Sequence, residues 1–129
     1  MTIRLVRAVA DEAMKFEYGL QGSRLLPWPG MRFPFGGAYC VVAPNSESAA
    51  HVNSPDDEEE LFIGISGKAL AVVDEQTIAI GQGDLLFVPR GSNHFVRNVS
   101  GEPFVFYTIW WNRQGVDEFA AQADRAAES

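Results

Sequence analysis

The 129-residue chain has a single cysteine, two histidines and no long apolar run; the longest, Ala38 to Ala43, is six residues. A membrane helix needs about 20, so the sequence is not read as spanning a bilayer. Cys40 alone excludes an internal disulfide and fits a reducing compartment. The first residues, Met-Thr-Ile-Arg-Leu-Val-Arg, lack the apolar stretch and cleavage site of a secretory signal, which points to the cytoplasm. Positive charge is also scarce. Ten Lys+Arg stand against 17 Asp+Glu, giving −7 and a pI near 4.7, with no local basic patch. Such a field repels a phosphate backbone, so nucleic acid is not an expected partner.

What is present is ordinary globular material: 47% hydrophobic, 21% charged and 12% aromatic residues. The length suits one domain with its own core. Residues 1–36 read as an N-terminal extension: Asp11 to Tyr18 fits either a short helix or a strand, and Pro27, Pro29 and Pro34 with Trp28 force an irregular path. From Gly37 the texture changes to short apolar runs cut by turn residues. Gly37–Ala43, Ala49–Asn53, Leu61–Ile65, Ala69–Val73, Thr77–Ile80, Asp84–Val88, His94–Val99 and Phe104–Trp111 each read as a strand. Strands at this spacing predict an all-β sandwich or small barrel over 37–111. The tail, Val116 to Ala127 within 112–129, reads as a weakly amphipathic helix.

The two histidines sit in patterned surroundings. Gly83, Pro89, Gly91, His94 and Asn98 form G-x5-P-x-G-x2-H-x3-N. Gly83 turns the chain into a strand, the Pro89-x-Gly91 turn ends it, and His94 opens the next strand. Period-2 alternation then puts His94, Val96 and Asn98 on one face. Upstream, Glu60 is followed by six residues and Gly67, and His51-Val52-Asn53 precedes it.

These two stretches resemble the paired motifs of the cupin family. The second motif matches at every defined position. The first, G-x5-H-x-H-x(3,4)-E-x6-G, departs in three ways. Asn53 replaces the second histidine, six residues separate Asn53 from Glu60, and Asn45 stands where the leading glycine is expected. The insert Ser54-Pro55-Asp56-Asp57 reads as a lengthened hairpin turn. The resemblance, over roughly Gly37 to Trp111, implies an all-β jelly-roll barrel of antiparallel strands with a short C-terminal helix. It implies a divalent metal (Zn, Fe, Mn or Ni) in the barrel mouth, with His51, Glu60 and His94 as ligands. Asn53 takes the fourth ligand place or leaves it open. A narrower likeness, over Glu60–Gly67, Gly83–Pro89 and Phe106–Trp111, is to small cupins of hydrazine-forming, N–N bond-making enzymes.

The function expected is therefore a small metallo-cupin acting on a small polar metabolite, by oxygenation, isomerisation or N–N bond formation. The alternative is a non-catalytic binding or sensor cupin with a degenerate metal site. A homodimer is expected, since the family often closes its rim with a neighbour's N-terminal strand. Other readings of single residues remain open. Glu60 belongs to the acidic run Asp56–Glu60, with Glu59 as the fallback ligand; Asn53 can cap a turn; Glu59 and Tyr107 are candidate general bases. Cys40 reads as a buried structural thiol, Trp28 as a possible lid, and Phe104, Phe106, Tyr107, Trp110 and Trp111 as barrel core or dimer surface.

Overall fold

A computed structural model describes residues 5, 7–9, 14–26, 34–53 and 58–128. Its strands are β1 (Lys15–Glu17), β2 (Leu20–Leu26), β3 (Gly36–Val42), β4 (Ser46–Glu47), β5 (His51–Val52), β6 (Glu58–Ser66), β7 (Lys68–Val73), β8 (Gln76–Gly81), β9 (Leu85–Val88), β10 (Asn93–Asn98) and β11 (Phe104–Asn112). The helix α1 (Arg113–Glu128) follows. All pairings are antiparallel. One sheet runs β1-β2-β3-β11-β6-β9; the other runs β4-β10-β7-β8, with β5 also on β10. This is a jelly-roll barrel, all-β with one C-terminal helix. No described helix is long and apolar enough to cross a membrane.

Alternation builds the interior. On β6 Phe62 points in while Leu61 and Ile63 point out, and on β11 Phe104 and Phe106 are buried beside the half-exposed Tyr107. The core gathers Ala38, Cys40, Val42, Phe62, Ala69, Ala71, Ile80, Val88, Val96, Phe104 and Phe106 between the two sheets. Of the aromatic cluster, only Phe104 and Phe106 belong to that core; Tyr107 lies on the outer face.

The sheet extends further toward the N-terminus than the sequence reading placed it. Lys15–Glu17 and Leu20–Leu26 form a hairpin across Tyr18-Gly19, with φ 54° and 74°. Two consecutive positive-φ residues make a type I′ turn, whose twist matches paired strands. The expected strand Ala49–Asn53 shrinks to His51–Val52, and a second short strand, Ser46–Glu47, forms where a turn was expected. Ser48 still bonds Val96, but the Ala49 amide turns away to the Tyr18 carbonyl at 2.6 Å, so the hairpin tip holds the gap between β4 and β5. The helix starts at Arg113, three residues before the expected Val116. Asn112 caps it, its Oδ1 accepting from the Gly115 amide at 2.6 Å. The lengthened turn at 54–57 and the Trp28 segment lie outside the described residues.

Candidate functional site

His51, Asn53, Glu60 and His94 all line one cavity of about 320 Å³. Strand pairing brings them there. His94 on β10 lies directly opposite His51 on β5, and their rings stand 4.6 Å apart. Glu60 comes from the inner face of β6, opposite Trp110 on β11. Register thus selects Glu60 over Glu59, which faces outward and accepts from Trp111 Nε1 at 3.3 Å. Tyr107 points away from the cavity, packed edge-on against Tyr39. Neither Glu59 nor Tyr107 is placed to act as a base in this site.

The second motif does its structural work as the spacing implies. Gly91 adopts φ 75° in the turn after Pro89, and Ser92 Oγ donates to the Pro89 carbonyl at 2.5 Å. Asp74 then pins the start of β10 by accepting from the Asn93 amide at 2.9 Å. Asn98 is structural. Its Nδ2 donates to Val42 and Glu102 carbonyls, and its Oδ1 accepts from Ser100, which ties the β10–β11 turn to β3. The missing glycine of the first motif is replaced in kind. Asn45 adopts φ 54°, and asparagine is among the non-glycine residues that visit this left-handed region most readily.

Each imidazole is oriented from behind. His51 Nδ1 lies 3.0 Å from the Ala49 carbonyl and His94 Nδ1 lies 3.2 Å from the Ser92 carbonyl. An Nδ1–H donated to a carbonyl leaves the Nε2 lone pair for the site. Glu60 is buried and held at both oxygens. Asn53 Nδ2 donates to Oε1 at 3.1 Å, and Thr108 Oγ1 donates to Oε2. His94 Nε2 stands 3.2 Å from Glu60 Oε1, yet off line for a hydrogen bond. Among the described residues it is the one fully buried side-chain nitrogen or oxygen without a partner.

Electrostatics couples these groups. Burial alone would raise the Glu60 pKa, but His94, Thr108 and Asn53 together bring it below the usual carboxylate value. Burial alone would depress His94, and the neighbouring Glu60 outweighs it and raises its pKa. Cys40 is driven the other way: burial, then the Glu60 charge, push its thiol to about 12, the inert state of a structural cysteine.

Whether these residues suit a metal can be read from the donors themselves. Among the described residues no three His, Cys, Asp or Glu side chains already gather in metal-holding fashion. Yet His94 Nε2 is buried without a hydrogen bond and faces Glu60 Oε1 at 3.2 Å, as two ligands of one ion would. Ligands bound at right angles about 2.1 Å from one ion stand roughly 3 Å apart, close to the separation of His94 Nε2 and Glu60 Oε1. A half-turn of the Asn53 amide would present oxygen where it now presents nitrogen. Two imidazoles, one carboxylate and one amide oxygen are a fitting donor set.

Other cavity residues carried no site expectation: Tyr18, whose ring stands 5.0 Å from His51, with Arg24 and Thr108, and Trp110, expected as core or dimer surface. Tyr18 ends the stretch Asp11–Tyr18 that fits a helix or a strand, and the structure makes it the turn of a hairpin whose second strand carries Arg24. Thr108 had a signal, being the one hydroxyl at an inward position of an otherwise apolar strand.

A family model described as cupin domain matches residues 38–110. The solved structure of the plu4264 protein from Photorhabdus luminescens is 38% identical, with a TM-score of 0.79, covering 95% of this chain and 99% of that one. A cupin 2 conserved barrel domain protein from Salinispora arenicola is 36% identical, with a TM-score of 0.76, covering 95% and 98%. More distant likeness, in fold alone, extends to a predicted oxalate decarboxylase from Thermotoga maritima at 18% identity, TM-score 0.66, covering 82% and 90%. No curated protein matches the chain.

Proposed function

The chain belongs to the cupin domain family, and from that premise we propose that it is a small metallo-cupin acting on a small polar metabolite. His51, Asn53, Glu60 and His94 hold a divalent metal at the barrel mouth. The observation that carries this reading is the buried Nε2 of His94, which makes no hydrogen bond, faces the Glu60 carboxylate at 3.2 Å and is fixed from behind by the Ser92 carbonyl.

A divalent metal bound there supplies Lewis-acid or redox chemistry to a ligand in the cavity. The protein does the rest. Backbone carbonyls of Ala49 and Ser92 fix the two imidazoles, Thr108 and Asn53 keep Glu60 ionised, and Phe62, Phe106 and Trp110 wall out water. Metal identity assigns the reaction class: iron for oxygenation, zinc for the N–N bond-forming rearrangement. We place the protein in the cytoplasm, as a homodimer with a second copy on the outer face of the six-stranded sheet.

The test is elemental mass spectrometry on untagged protein, beside His51→Ala and His94→Ala. Near-stoichiometric metal in the wild type, lost from both variants, is expected. A wild type that stays empty after loading with Fe(II), Mn(II), Ni(II) and Zn(II) refutes the metal site. The second reading would then hold: a non-catalytic small-molecule-binding or sensor cupin. Glu60 supports it, because protein donors already occupy both its oxygens.

A further inference from the structure

One cation lies among the described residues that line the cavity, and the sequence reading gave it no role. Arg24 sits on β2, on the same face as Leu20 and Gly22, which line the cavity with it. Its partner across the sheet is Ala38, Ala38 pairs Thr108, and the Thr108 hydroxyl touches Glu60. Two strand spacings separate Arg24 from Thr108 at the backbone, about 10 Å. Arg24 and the four expected ligands all line one cavity.

The backbone here is specialised. The β2–β3 register shifts between Arg24 and Leu26, so Leu25 is an extra residue in the pairing. Bulges of this kind re-aim side chains and concentrate beside functional sites. The guanidinium lies 5.8 Å from the Trp110 ring centroid, and Nε donates to Glu17 Oε1 at 2.8 Å. That bond and a weaker interaction with the Tyr18 hydroxyl leave donors of the five-donor fork free. The Arg24 side chain is 57% exposed, so Glu17 is a solvent-accessible partner that a ligand can displace.

We propose that Arg24 is the ligand-recognition residue of this cavity and that it takes the carboxylate of a small monocarboxylate, whose apolar body lies along Trp110 and Phe106. The inference rests on reading the cavity as a small-molecule site, and stands independently of the metal. A planar carboxylate matches the guanidinium fork in two parallel bonds. A phosphate dianion is disfavoured, because Glu17, Glu58 and Glu60 line the same cavity. In the free protein Glu17 occupies the seat that the ligand's carboxylate takes.

The experiment is calorimetric titration of short aliphatic and aromatic monocarboxylates, each beside its neutral primary amide, with inorganic phosphate as a separate arm. Wild type should bind at least one acid roughly tenfold more tightly than its amide. Arg24→Gln should bring acid and amide to within about twofold, and Glu17→Gln should tighten the acid several-fold by removing its competitor. No acid binding, equal affinity for acid and amide, or a preference that survives Arg24→Gln overturns the proposal. Phosphate binding more tightly than every carboxylate overturns it too. Metal content measured on the same samples separates the two readings. An Arg24-dependent acid preference in metal-free protein leaves this inference standing while the metal site falls. Retained metal with no acid preference does the reverse.

Discussion

At the scale of single residues, the Glu60–His94 pair makes the metal-free protein sensitive to pH in a defined window. His94 has a folded pKa raised above its ordinary 6.5, so the stability it contributes is complete below 6.5 and is lost as pH rises through the raised value. Glu60 has a folded pKa below its ordinary 4.5, so its contribution is complete above 4.5 and is lost as the pH falls through the lowered value. Both contributions are whole only between about 4.5 and 6.5. Thermal melts of chelator-treated protein should show the wild type's advantage over His94→Gln largest inside that interval and shrinking above it. A constant difference between the two proteins up to pH 9 would contradict the pairing. That His51, Asn53, Glu60 and His94 line one cavity was legible because motif spacing encodes strand register. Arg24 and Tyr18 were not, since nothing in Phe-Glu-Tyr-Gly-Leu-Gln-Gly-Ser-Arg distinguishes a hairpin beside the cavity from a loop.

Elements show where local sequence and tertiary context divide the work. The eight strand readings after Gly37 rested on apolar runs between turn residues, and seven are found within a residue or two, or as the core of a longer strand. The eighth, Ala49–Asn53, is cut to His51–Val52, its first residue yielding to a contact 31 residues away in sequence, the Tyr18 carbonyl. No local pattern encodes that bond. Turn chemistry, by contrast, is local and testable. Asn45 and Gly67 both adopt positive φ. A Cβ on Gly67 would lie 2.3 Å from the Pro103 carbonyl oxygen, whereas Asn45 already carries its side chain. In urea denaturation Gly67→Ala should therefore cost at least about 2 kcal/mol. Asn45→Gly should change stability by less than about 0.5 kcal/mol, and Asn45→Val should cost roughly 1–2 kcal/mol. Equal losses at both sites would show that the left-handed backbone is not what these turns require.

For the whole molecule, the proposed homodimer rests on the outer face of the six-stranded sheet. Cross-strand pairing aligns Leu85, Ile63, Tyr107 and Tyr39 in one row, and Phe87, Leu61 and Ile109 in the next. Leu85 is 66% and Phe87 49% exposed. These two rows are uncharged across four strands, and a two-fold pairing centred on them would set apolar side chains against apolar side chains, with Glu59 in the adjoining row. Of residues 1–35, expected at a dimer interface, Lys15–Glu17 and Leu20–Leu26 form a hairpin on this chain's own sheet, so the sheet face carries the proposal. Light scattering should give twice 14.2 kDa for the wild type. The double variant Leu85→Lys, Phe87→Lys should give the single-chain mass with an unchanged fold by circular dichroism. A monomeric wild type at micromolar concentration would sink the dimer.

Strand β11 places Trp110 toward the cavity, near Arg24, and the next residue, Trp111, toward the outer face, edge-on to Phe35. Because alternation separates adjacent side chains by the thickness of the sheet, one dipeptide samples both surfaces on which function is argued. Light absorbed by the two indoles is thus emitted from two unlike environments. Ligand entry dims or shifts the first, and subunit pairing acts on the second. In a Trp28→Phe background, with Trp110→Phe or Trp111→Phe to isolate each indole, the chain becomes its own two-channel fluorimeter, in which occupancy of the barrel and assembly of the protein are followed separately without an added dye.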